Sequence, residues 1–153
     1  MRRFLAAFSL LGALAVAGPA LATVVRACDG TTEAAYNIVE PWEASSRTFY
    51  QGKVRVAWLD TGGEPACCSA HLLIVFYRDD DVEGFTCRLV SDHDASGFAG
   101  IDFKSLKSSY DPKRGLLLAF GYSRFPTGGD GSATERRVAK VRINVTSGAV
   151  MVE

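Results

Sequence analysis

Four short stretches of this chain alternate apolar and polar residues with a period of two, and that pattern constrains the fold more than any other feature. Successive strand side chains face opposite ways, so alternation marks a ribbon with one buried face. Val54, Val56 and Trp58 share one face, with Lys53 and Arg55 on the other. Phe85, Cys87 and Leu89 alternate with Thr86 and Arg88. Leu116, Leu118, Phe120 and Tyr122 line a third strand, and Ala139, Val141, Ile143 and Val145 a fourth. Leu72 to Tyr77 is apolar throughout, which predicts a central strand covered on both faces. Thr146-Ser147-Gly148 then turns the chain into a closing strand, 149–153. A weaker extended piece is expected at 35–39.

The stretch 101–110 reads two ways. Phe103, Leu106 and Tyr110 fit a helical face capped by Asp102, whereas Leu106, Ser108 and Tyr110 fit a strand. The strand is preferred, because Asp111-Pro112-Lys113-Arg114-Gly115 is a reversing turn leading into 116–120. The sum is seven or eight short strands in one domain, an all-β antiparallel sandwich or small barrel with room for one short helix.

The 153 residues carry 17 basic and 17 acidic side chains. That balance argues against a dedicated nucleic-acid binder, which needs a basic excess. It also lies outside the high-charge, low-hydrophobicity composition of disorder. Met1-Arg2-Arg3, the apolar run Phe4 to Ala17 and the small residues Ala20-Leu21-Ala22 follow the order of a secretory signal, with cleavage expected after Ala22. The run is shorter than the roughly 20 residues of a spanning helix, so stable membrane insertion is not expected. A mature domain of residues 23–153 would carry 15 basic and 17 acidic groups.

All four cysteines, Cys28, Cys67, Cys68 and Cys87, fall after that segment. An even number in an exported chain predicts two disulfides. If Cys67 and Cys68 begin a strand, they face opposite sides and reach different partners. Cys28–Cys67 with Cys68–Cys87 is then expected, with Cys28–Cys68 and Cys67–Cys87 as the alternative. A Cys67–Cys68 bond is disfavoured by the geometry disulfides prefer.

Candidate sites are few. Asp79, Asp81 and Glu83 before Gly84 follow the first half of a calcium loop, but Val90 stands where the bidentate acid belongs. Cys67, Cys68 and His71 lack a second ligand pair at metal-site spacing. Ser91-Asp92-His93-Asp94 sets a histidine between acids without a nucleophile beside it. Arg136, Lys140 and Arg142 share a strand face, adjoined by Arg137, and a basic patch there would suit an anionic partner. Trp42 and Phe125 lie outside the strands, where an exposed aromatic would mark a binding surface. No cofactor is indicated.

Trp58-Leu59-Asp60-Thr61-Gly62 resembles the signature of aspartic proteases, in which two carboxylates share a proton and activate water. The resemblance implies a retroviral-type dimer using Asp60, with Ala119-Phe120-Gly121 as its later apolar-apolar-glycine element. Gly63 departs from the family pattern, as does the Glu64-to-Cys68 stretch. As a whole, through 60–69 and 109–116, the chain resembles small secreted bacterial proteins of unassigned function. That resemblance implies an exported compact domain and transfers no functional residues. The expectation is therefore a periplasmic or secreted binding module for a protein or small molecule. A dimeric aspartic protease at Asp60 and a calcium- or metal-binding protein are the alternatives.

Overall fold

A computed structural model describes residues 23–62, 67–78, 84–93 and 96–153. Within them the alternating stretches become strands, joined by others that the pattern did not mark: β1 (Val24–Ala27), β2 (Ser46–Phe49), β3 (Val54–Asp60), β4 (Ala70–Phe76), β5 (Thr86–Ser91), β6 (Gly100–Asp111), β7 (Gly115–Arg124), β8 (Glu135–Asn144) and β9 (Ala149–Val152). All pairings are antiparallel. They make two sheets, ordered β1-β5-β4-β3-β2 and β6-β7-β8-β9, and neither closes into a barrel.

The facing sides of the sheets form one core. From the first sheet come Val54, Val56, Leu72, Ile74, Phe76 and Val90; from the second come Leu118, Phe120, Ala139, Val141 and Ile143. Most of these are fully enclosed, as apolar alternation requires. Phe98, also fully buried, sits where the chain passes between sheets. It bridges Ala70 and lies 4.5 Å from the Tyr122 ring, while Ala99 N donates to the Ser123 carbonyl.

The first sheet is buried on its other side too. Ala57, Leu59 and Leu89 pack there beneath Cys28 and Ile38. The covering segment contains a 3-10 turn at Ala35–Asn37 and a short helix, α1 (Trp42–Ser45). The extended piece expected at 35–39 is thus a turn over most of its length. The Asn37 amide explains it, donating to the carbonyls of Thr31 and Thr32 at 3.0 Å each and coiling the chain back on itself.

The disulfides differ from expectation: Cys28 pairs with Cys87, and Cys67 with Cys68. The pairings Cys28–Cys67 with Cys68–Cys87, and their alternative, assumed that Cys67 and Cys68 lie in a strand. The strand begins only at Ala70, and Cys68 takes a left-handed φ of 73°, so the neighbours do not face opposite sides. Cys28 finds Cys87 because β1 pairs with β5 in the register Ala27↔Arg88, which sets Cys28 across from Cys87.

The ambiguity at 101–110 also has a physical origin. β6 pairs with β7 at Asp102↔Gly121 and resumes at Lys107↔Ala119, so residues 103–106 stand opposite Phe120 alone. This bulge turns Phe103 and Leu106 inward at a spacing of three, which imitates a helix within a strand.

Candidate functional site

A groove of about 630 Å³ opens where the β6 bulge parts that strand from β7. Its size falls within the range of small-molecule sites. Strand alternation places Asp102, Lys107, Ala119, Gly121, Ser123, Arg136 and Val138 on the side turned from the first sheet. The lining also includes Trp58, Ile101, Phe120 and Tyr122. Val138 is 65% exposed, although it belongs to a strand. Ile101, Phe120 and Tyr122 are themselves buried in the core, so the surface open to a ligand is the apolar strip of Ala119, Gly121 and Val138 with charged groups at its rim.

Ser105 holds the bulge open. Its hydroxyl donates to the Asp102 carbonyl at 2.6 Å and accepts from Gly121 N–H at 2.7 Å, replacing the ladder bond that the bulge removes. Glycine suits position 121, because a Cβ there would lie 3.1 Å from the Ser105 oxygen. Ser105→Ala leaves the Gly121 N–H without that acceptor. It should cost about 1 kcal/mol in urea denaturation and speed amide exchange at Gly121.

The rim is cationic. Arg137 pairs with Glu135 at 2.9 Å, and that bond holds the Glu135 carboxyl below its ordinary range and lifts the guanidinium above its own. Lys107 and Arg136 make no ion pair among the described residues. They stand on opposite flanks of the Ala119–Gly121 strip, one paired to Ala119 and the other to Ser123. Of the basic face expected on β8, Arg136 and Lys140 are exposed. Arg142 is instead buried, donating to Glu153 at 2.9 and 3.0 Å and to the Gly115 carbonyl at 3.2 Å.

The other sequence candidates lie elsewhere. Asp60 ends β3 and organises a turn: its Oδ1 accepts from Gly62 N–H at 2.9 Å and from the Ser69 hydroxyl at 2.6 Å. Ala119-Phe120-Gly121 belongs to β7 of the opposite sheet. Asp79, Asp81 and Glu83 lie outside the described residues. Cys28, Cys87 and Glu33 bring donor atoms within 4.8 Å of one another, but the sulfurs are bonded together and Glu33 accepts from the N–H groups of Asp29 and Gly30. Trp42 is 51% exposed beside Glu40 and Glu43, while Phe125 is half-buried.

His71 has a partner that sequence spacing did not suggest. Its Nδ1 lies 2.8 Å from the Ser91 hydroxyl, and both residues are buried on the covered face of the first sheet. Burial, reinforced by the Arg26 charge, lowers its pKa to about 4, while Asp29 and Asp60 pull the other way. Asp92 is enclosed 3.5 Å from Arg124; burial raises its pKa and Arg124 opposes the rise. Ser91 is fully buried, so the His71–Ser91 pair is a structural contact closed to substrate.

The signal for the groove was partial. Arg136 was visible as part of a basic strand face, and the mixed spacing of Phe103, Leu106 and Tyr110 was the trace of the bulge. Nothing local marked Ser105, and Trp58 and Gly121 stood out only in the protease-like segments; the sheet register brings all three into the groove. Compared with known proteins, the chain matches no family model, no curated sequence and no solved structure.

Proposed function

We propose that the chain is an exported β-sandwich that binds a small amphipathic anion, an apolar ring system bearing a carboxylate, sulfonate or phosphate. The observation that carries this reading is the groove: an apolar strip of Ala119, Gly121 and Val138 between two cations, Lys107 and Arg136, that make no ion pair among the described residues. A ring packed on Val138 and Ala119, beside Gly121, would leave water while its anionic group stayed at the rim. Export is supported by the order of residues 1–22 and by two disulfides. In addition, no helix among the described residues is long and apolar enough to cross a membrane.

The test is a fluorescence titration with anilinonaphthalene sulfonate, repeated by calorimetry with a naphthoate. Saturable binding with one site per chain is expected. Lys107→Ala with Arg136→Ala should weaken it by about tenfold or more, and added salt should reproduce part of that loss. Ala119→Phe, which fills the groove, should abolish it. Absence of saturable binding, or binding indifferent to these substitutions, would remove the groove as the site.

A further inference from the structure

The two disulfides have different consequences for the chain. Cys28–Cys87 closes a span of 59 residues and ties the covering segment to β5. Cys67–Cys68 joins immediate neighbours, so it restricts almost none of the unfolded chain's freedom. It is also the more accessible of the two: Cys67 is exposed and Cys68 half-buried, whereas Cys28 and Cys87 are both half-buried. Its surroundings are anchored without the sulfur bond. Gly97 N–H donates to the Cys68 carbonyl at 2.7 Å, and Thr61 N–H donates to the Ser69 carbonyl at 3.1 Å. Gly97 fits there because a Cβ would run into the carbonyl oxygens of Cys68 and Ala70. Cys68 is therefore held in place when the sulfur bond opens, with Cys67 joined to it by one peptide bond.

We propose that Cys67–Cys68 is a reversible thiol-exchange site whose reduced form is a chelating dithiol for thiophilic metalloids of the trivalent arsenical class. Reduction consumes two equivalents of a small thiol. The first, as its thiolate, bonds to the exposed Cys67 sulfur, the Cys67–Cys68 bond breaks, and Cys68 leaves as a thiolate that takes up a proton. The second thiol displaces Cys67 from the mixed disulfide, so the small thiol is oxidised to its own disulfide. With an organoarsenic oxide, two arsenic–sulfur bonds then form, the arsenic–oxygen bonds break, and the two thiol protons leave with the oxygen as water. Adjacent sulfurs bind such a centre as one ligand, since closing the second bond costs little further chain entropy.

The site is independent of the groove and is tested separately. Folded full-length protein is treated with millimolar dithiothreitol, freed of reductant without oxygen and alkylated, and the modified cysteines are located by mass spectrometry. Two thiols per chain, Cys67 and Cys68, are expected at least tenfold faster than Cys28 and Cys87. Phenylarsine oxide added before alkylation should protect both and add one arsenical per chain. Cys67→Ser/Cys68→Ser should take up none while keeping its unfolding midpoint. Reduction of Cys28–Cys87 first or at an equal rate would overturn the proposal. So would a reduced Cys67–Cys68 pair that takes no arsenical, or uptake that persists in the double serine variant.

Discussion

Cys28→Ala/Cys87→Ala is expected to lower the unfolding free energy by about 4 kcal/mol. The bond closes a loop of sequence separation 59, and cross-linking a span of that length removes roughly this much freedom from the unfolded chain. The folded state is affected as well. Cys28 helps cover Leu59 and Leu89, and the bond fixes the segment that carries the Ala35–Asn37 turn. Urea denaturation read by circular dichroism measures the loss, and faster amide exchange should be concentrated in 28–45. Cys67→Ser/Cys68→Ser should shift the same curve by less than about 1 kcal/mol, because its loop is minimal. Equal effects from the two pairs would show that loop length is not what distinguishes them.

Acid should destabilise the fold before its ordinary carboxylates titrate. Folded His71 titrates near 4, chiefly because it is buried, while in the unfolded chain it returns to about 6.5. The unfolded state therefore binds the proton first. Stability is complete above about pH 6.5 and falls as pH drops toward 4, by a total on the order of 3 kcal/mol. Asp29 is held far below its ordinary pKa by the Thr32 N–H and by Arg26, so its contribution is lost only under more acidic conditions. Asp92, raised by burial, acts in the opposite sense and offsets part of the fall. His71→Leu with Ser91→Ala removes the titrating group and its hydroxyl partner together. The variant should show a flatter curve of unfolding free energy between pH 6.5 and 4. A parent and variant with the same slope would show that His71 is not the group responsible.

The core was legible because it depends on local periodicity. Val54, Leu118 and Val141 lie inside since their neighbours two residues away do, and the turn chemistry at 111–115 sets β6 against β7. Strands without that pattern were missed. β1 and β2 are four residues each, and they form through pairing with β5 and β3. The disulfide pairing was misread because a left-handed φ at Cys68 is not written in an alternating pattern, and because Cys28 is positioned by the unforeseen β1. The groove is less local still. Trp58 and Arg136 are far apart in sequence, and only the bulge and the sheet register make them parts of one site.

The bulge in β6 also bears on solubility. β6 is the outermost strand of its sheet and the longest strand described, at twelve residues. A flat edge of that length would offer a continuous row of peptide groups on which another chain could add a strand. Residues 103–106 break that row into two short runs, and Lys104 and Lys107 place charge at the break. The irregularity that opens the groove on one face thus guards the edge against intermolecular sheet growth.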